Sequence, residues 1–359
     1  MKIGNIMIDK VYLTSVLKTL LCTPSPVGMT EQAVAQTHQW LSELGFTPKY
    51  TRRGVLYITL GSEEPKRALA AHLDTLGAMV TQLKPNGRLA LRNTGTWAAR
   101  FAEGARVTVF SDDHQYRGTI LPLKASGHRF NTEVDTQVAD WDNLEIRLDA
   151  PCYNFADLQS HGLNVGDIVA VDAQPEFIDN GFIVSRHLDD KAGCAVMLAA
   201  LKSLVDDGIV PAVSCQMMFT ISEEVGIGGT HGFGPQVQEL LAIDNSVSAP
   251  DQTTRDDALT LAFRDRTGPF DLAITRHLLQ LCQQYDIPHV RDTFKHYRSD
   301  SAAAIDAGWD IRAALACFAL DSSHGWERTH LDSLVALATL VRRYIESDLV
   351  PLPGQSLQN

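Results

Sequence analysis

The run Cys215-Gln216-Met217-Met218-Phe219-Thr220-Ile221-Ser222-Glu223-Glu224-Val225-Gly226 passes from a markedly apolar strand straight into two adjacent glutamates. Open α/β sheets place their sites at the carboxyl ends of strands, so a pair of acids there marks a possible site. Like charges repel and burial penalises each of them, a cost that cations relieve. One glutamate would then bind metal and its neighbour would act as a base. The plainer alternative is a solvated strand end. The glycines that follow do not form a dinucleotide loop: a GxGxxG begun at Gly226 and Gly228 ends on His231.

Helix and strand alternate on both sides of this run. Apolar spacing predicts helices over 9–21 and 31–44, separated by the turn-rich Thr23-Pro24-Ser25-Pro26-Val27-Gly28. Strands are predicted at Val55–Leu60, Arg67–His72, Cys215–Ile221, Glu239–Ile243, Ala258–Phe263 and Ile311–Leu320, and further helices near 270–284 and 331–346. Ala192–Val205 reads as an amphipathic helix, with Lys202 breaking its apolar run. From 76 to 180 the texture changes to short alternating runs such as Arg106–Phe110, Leu144–Leu148 and Asp167–Val171, with only 154–163 helical. The expected fold is α/β, a mixed sheet flanked by helices. Residues 1–75 and 181–359 form its catalytic domain, and a small β-rich, barrel-like domain is inserted at 76–180. The tail Pro351–Gln355 is expected to fray.

Composition excludes several function classes. The 359 residues are 45% hydrophobic and carry a formal charge of −12, from 31 basic and 43 acidic side chains. Such a chain lacks the basic field that attracts nucleic acid or anionic lipid, and no run of about 18 apolar residues predicts a membrane span. Asp9, Lys10 and Lys18 interrupt the stretch a secretory signal would need. Six scattered cysteines without a CxxC pair argue against a zinc knuckle and suggest reduced, buried thiols in a cytoplasmic protein.

Three further clusters sit at predicted strand ends. In His72-Leu73-Asp74 an imidazole can bind metal while the carboxylate two residues on fixes the ring. His187-Leu188-Asp189-Asp190-Lys191 places adjacent acids before a small-residue helix, where one carboxylate can bridge two ions; helix capping is the bland reading. Asp244 follows Leu240-Leu241-Ala242-Ile243, and His324 lies in Ser322-Ser323-His324-Gly325-Trp326-Glu327-Arg328-Thr329-His330. Spacing does not separate His324 from its competitors His187, His231 and His330. Two histidines with three or four carboxylates suit a two-zinc hydrolytic site. HExxH, GxSxG and GxxxxGK[ST] are missing.

Taken together, His72-Leu73-Asp74-Thr75-Leu76-Gly77, Leu188-Asp189-Asp190-Lys191-Ala192-Gly193, Ser222-Glu223-Glu224-Val225-Gly226 and the late histidine resemble the co-catalytic metallo-aminopeptidases of peptidase family forty-two. That family includes the glutamyl and tetrahedral aminopeptidases, some of which carry the name endoglucanase. Leu163-Asn164-Val165-Gly166-Asp167 resembles the exit from the family's inserted domain. Ser323–His330 and Arg100–Val107 are closer to the branch named for the bacterial osmoprotectant N-acetylglutaminylglutamine amide.

The resemblance implies that His72 and Asp244 hold one divalent ion, Glu224 and His324 a second, and Asp189 bridges them. Glu223 would be the general base, Asp74 would orient His72, and Asp190 would shape the turn. Thr75 departs from the acid common there, and His324-Gly325-Trp326-Glu327 departs from the usual spelling, leaving His330 as the alternative ligand. Zinc is the first expectation for both ions, then cobalt or manganese. The implied reaction removes amino-terminal residues from short peptides. Two other readings stay open: a metal-dependent deacylase or amidase on an N-acetylated dipeptide osmolyte, and a non-catalytic metal-binding scaffold. Relatives form dimers to dodecamers through the insert, so a homo-oligomer is expected. Nucleic acid and membrane are not expected partners.

Overall fold

Asp9 caps the first helix, α1 (Lys10–Cys22), its side chain accepting the Tyr12 N–H at 2.9 Å. Leu13, Val16, Leu17, Leu20 and Leu21 recur at helical spacing and are all buried, which turns that face to the core. The computed structural model describes residues 7–352, so most of the predicted fraying at Pro351–Gln355 lies outside the described residues. After α2 (Glu31–Glu43) come β1 (Lys49–Tyr50), β2 (Leu56–Leu60) and β3 (Arg67–His72), the last buried at every position.

The chain then leaves the main sheet. β4 (Gly77–Leu83), β5 (Leu89–Thr94), β6 (Arg106–Phe110), β7 (Gln115–Pro122), β8 (Leu144–Leu148) and β9 (Ile168–Val171) close into a barrel in the order β4-β5-β8-β7-β6-β9. Alternation makes this possible: in β6, Val107 and Val109 point inward while Arg106, Thr108 and Phe110 stay half-buried. With Val80, Leu91, Ile120, Ile146 and Val169 they form a core of their own. Four short helices interrupt the barrel strands: α3 (Ala99–Ala102), α4 (Gly127–Phe130), α5 (Glu133–Thr136) and α6 (Phe155–Ser160). Only α6 falls where the sequence predicts a helix. The other three are single turns, too short to show a helical period.

The return runs through β10 (Glu176–Phe177), β11 (Phe182–Ser185), α7 (Leu188–Asp206), β12 (Cys215–Thr220), β13 (Glu239–Asn245) and β14 (Leu259–Arg264). It ends with α8 (Leu272–Gln284), β15 (His289–Thr293), α9 (Asp300–Asp306), β16 (Arg312–Phe318), β17 (Glu327–His330) and α10 (Leu331–Glu346). The main sheet has eight strands in the order β1-β2-β12-β3-β13-β16-β14-β15, while β10, β11 and β17 make a small separate sheet. β12, β3, β13 and β16 are parallel, and β2 and β14 run antiparallel to them on either side. This is the mixed α/β sheet with an inserted barrel that the sequence predicts.

Two readings need correction. The helix predicted as amphipathic over 192–205 is α7, and it is buried on nearly every side from Leu188 to Leu204. It lies inside the molecule, packed on the sheet and against α1 and α10, and Ala192, Gly193, Ala195, Ala199 and Ala200 permit that close approach. The cysteines are all free, yet Cys22 is exposed and Cys152 half-buried; the other four are buried. In the catalytic domain β1, β11, β15, α9 and β17 carry no predicted counterpart; each is short, and polar sequences such as His289-Val290-Arg291-Asp292-Thr293 hide an edge strand. No helix among the described residues is long and apolar enough to cross a membrane.

Candidate metal centre

The parallel strands deliver their carboxyl ends to one edge, where Thr220 of β12 lies beside His72 of β3 and Asp244 of β13 lies beside Cys317 of β16. His72 ends its strand with its Nδ1 2.9 Å from the Asp74 carbonyl oxygen. A carbonyl only accepts, so Nδ1 carries a proton, and Nε2 is the nitrogen left to hold a second proton or a metal. That nitrogen faces Asp189 Oδ1 at 3.1 Å and Glu223 Oε2 at 3.7 Å. His324 repeats the device: Nδ1 lies 2.7 Å from the Thr96 carbonyl oxygen, and Nε2 faces Asp189 Oδ2 at 3.2 Å and Glu224 Oε2 at 3.6 Å. Asp189 thus spans the two rings, one oxygen to each.

A lone pair facing a carboxylate oxygen is repulsive unless a proton or a cation lies between them. Around the two rings stand Asp74, Asp189, Asp190, Glu223, Glu224, Asp244 and Asp300, all buried except Glu223, which is partly exposed. Burial, with Asp189 as the next cause, pushes the Asp244 carboxyl up to about 7. Burial likewise raises Glu223 and Glu224 well above the usual carboxylate range. Burial also opposes ionisation of Asp189, but hydrogen bonds from His324 and His72 outweigh it and hold that acid down. Glu224 Oε1 is buried without a hydrogen-bond partner among the described residues. Such an excess of buried acid over base fits divalent cations.

Two groupings bring donor atoms within 4.8 Å of one another: His72 with Asp190 and Asp244, and His72 with Asp189 and Glu224. Both oxygens of Asp190 already have backbone partners, accepting the N–H of His72 at 3.0 Å and of Gly193 at 3.2 Å. The Asp189–Asp190 peptide is cis.

Asp74 is fully buried, and its carboxylate accepts the N–H of Glu223 through Oδ1 and of Glu224 through Oδ2, both at 3.1 Å. It therefore fixes the double-glutamate turn, while its main-chain oxygen fixes the His72 ring. Glu327, to which the sequence assigns no role, accepts the N–H of Asp189 at 3.2 Å and of His324 at 2.9 Å. Its place three residues after His324 is the only signal available beforehand.

The three competing histidines lie elsewhere. His187 is buried with Nε2 3.0 Å from the Val171 carbonyl oxygen, and burial lowers its pKa to about 3. His231 meets Thr51 at 3.3 Å, and His330 caps α10 with Nε2 3.0 Å from the Asn180 carbonyl oxygen.

Residues 54–340 match the family model described as M42 glutamyl aminopeptidase. The chain belongs to that family. YhfE of Bacillus subtilis (strain 168), a candidate aminopeptidase, is 33% identical over 337 residues, which cover 93% of this chain and 97% of YhfE. Among solved structures, the TET aminopeptidase of Thaumarchaeota archaeon SCGC AB-539-E09 superposes with a TM-score of 0.84 at 17% identity, covering 93% of this chain and 96% of that one. The Pyrococcus horikoshii TET1 peptidase, which can assemble into a tetrahedron or a large octahedral shell, gives 0.83 at 20% identity over 93% and 99%. The family match and the two candidate metal clusters make this M42 protein a metal-dependent aminopeptidase.

Proposed function

We propose that this M42 protein removes amino-terminal residues from short peptides, using two ions held by His72 with Asp244 and by Glu224 with His324, and bridged by Asp189. The observation that carries the reading is the placement of Asp189, one oxygen toward each Nε2 at 3.1 and 3.2 Å. Imidazole and carboxylate donors suit zinc first, and cobalt or manganese next. Divalent ions held there supply Lewis acidity, which acidifies a water and polarises a carbonyl oxygen. Glu223, slightly exposed to the cleft and held by Asp74, receives the water's proton and returns it to the leaving amine.

The cleft measures about 870 Å³, and its lining carries Arg266, Lys295, His296 and Arg298 as well as the acids, Arg298 being paired with Asp306. Basic groups beside this site in a chain of net charge −12 favour a substrate that carries a free carboxylate, as a short peptide does at its end. The test is to load the protein with zinc and offer a free dipeptide beside its N-acetylated form. Hydrolysis of the free form alone supports the aminopeptidase. Hydrolysis of the acetylated form alone favours the deacylase on an acetylated osmolyte, and no hydrolysis by the loaded protein favours the scaffold.

We infer that the protein is a homo-oligomer joined through the barrel, which exposes Tyr153, Phe155 and Val165. Light scattering that returns the monomer mass overturns this. Free thiols throughout fit a reducing, cytoplasmic setting.

A further inference from the structure

Tyr297 has no part in the ligand set or the base, yet it lines the same cleft as Asp189, Glu223, Glu224, Asp244 and His324. Its ring is held from behind. It packs with Phe294 at a centroid distance of 5.1 Å and belongs to the apolar cluster of Ala242, Ala262, Leu315 and Cys317. Its backbone is fixed as well, the Tyr297 carbonyl accepting the Arg266 N–H at 3.0 Å. The hydroxyl at the front of this ring is buried and has no hydrogen-bond partner among the described residues. The carboxylates of Asp244, Asp189 and Glu223 are the charges that act on it. Asp244 is the foremost of them, and the phenol lies near enough to help hold that carboxyl down in turn, but the pair does not meet full hydrogen-bond geometry.

An unpaired buried hydroxyl costs about 1–3 kcal/mol, a penalty usually offset by a partner that arrives with a ligand. A phenol is protonated at neutral pH, so this group is a donor seeking an acceptor. The atom of a peptide that gains acceptor strength during hydrolysis is the scissile carbonyl oxygen. A rigid donor aimed at that oxygen binds the tetrahedral state more tightly than the substrate.

We propose that the Tyr297 O–H donates a hydrogen bond to the scissile carbonyl oxygen and is a catalytic residue of this enzyme, resting on the aminopeptidase reading above. The competing role is structural, with the phenol steadying Asp244 as a ligand. Tyr297→Phe keeps the ring and its packing and removes only the donor, so the melting temperature should hardly move. In the zinc-loaded full chain the expected result is unchanged metal content, a kcat about 10²–10³-fold lower, and a KM within a few-fold of the original. Affinity for an α-aminophosphonate, whose tetrahedral oxygens mimic the addition state, should fall with kcat when measured by calorimetry. Affinity for the free amino acid product should hold. Unchanged kcat and phosphonate affinity overturn the proposal. So does loss of a metal from the variant, which would assign Tyr297 to Asp244. Should the unsubstituted, metal-loaded chain hydrolyse no aminoacyl substrate, the aminopeptidase reading fails, an outcome distinct from failure of the Tyr297 role.

Discussion

His324 adopts a left-handed backbone, φ 63°, and Glu327, three residues on, accepts its N–H at 2.9 Å. A residue other than glycine is disfavoured in this region, so the carboxylate compensates a conformation that the imidazole needs to reach Asp189. Glu327 also accepts the Asp189 N–H through its other oxygen, so one buried side chain sets both the bridging acid and the second histidine. Burial, then the nearby Asp189, pushes the Glu327 carboxyl up to about 8.

Glu327→Gln keeps the volume but turns an NH₂ group toward one of those two N–H donors. Groups that orient metal ligands typically matter by about 10–100-fold in metal affinity. The variant should therefore fold and bind its more weakly held ion roughly that much less tightly, as read by metal titration against a chelator. An unchanged titration would reduce Glu327 to a packing residue.

Asp74 should behave differently. Its two oxygens grip consecutive backbone N–H groups at Glu223 and Glu224, and it is fully buried. Asp74→Asn leaves one acceptor and sets an amide donor against the other N–H. Hydrogen bonds to a charged group contribute about 1.5–3 kcal/mol, and a loss of that order is expected in urea unfolding. Activity per bound metal should fall too, because the base shifts with its turn. The His72 ring depends on the main-chain oxygen of Asp74 and should keep its place.

How much of this could be read beforehand follows from the kind of group involved. Acids and histidines at the ends of apolar strands are visible in a sequence, and β3, β12 and β13 bring His72, Glu223, Glu224 and Asp244 to one edge. The alternating valines of β6 likewise announce a sheet closed on its own core. Thr96 is different, because it acts through a carbonyl that every residue possesses. Glu327 and Tyr297 stand beside other polar residues, and only the fold shows that one is buried against two N–H groups and the other against none. His330 illustrates the reverse: its spelling matches that of a ligand, but as the N-cap of α10 its ring bonds to Asn180.

Gly193 tests how closely α7 meets the site. A Cβ added there would lie 2.1 Å from Asp190 Oδ1, the oxygen that accepts the Gly193 N–H. Gly193→Ala must displace Asp190, whose other oxygen holds the His72 backbone. Overpacking of this kind costs about 1–3 kcal/mol. A lower melting temperature together with weakened metal binding is expected; an unaltered melt would show that the turn relaxes freely.

The two adjacent glutamates should separate cleanly by substitution. Glu223 lies 3.7 Å from His72 Nε2 with its side chain 15% exposed, open to the cleft where a water can reach it. Glu224 is buried, with Oε2 3.6 Å from His324 Nε2 and Oε1 unpartnered, the environment of a ligand. Glu223→Gln preserves shape and the backbone bonds from Asp74, so folding and metal content should stay intact. Loss of a general base alone lowers rates by about 10²–10⁴-fold, and the loss should appear in kcat because proton transfer belongs to the transition state. Glu224→Gln should instead lose metal, with activity recovering as zinc is raised. If Glu223→Gln lost a metal while keeping activity per bound metal, the two roles would be exchanged, and Asp74 would be holding the ligand through Oδ1 and the base through Oδ2.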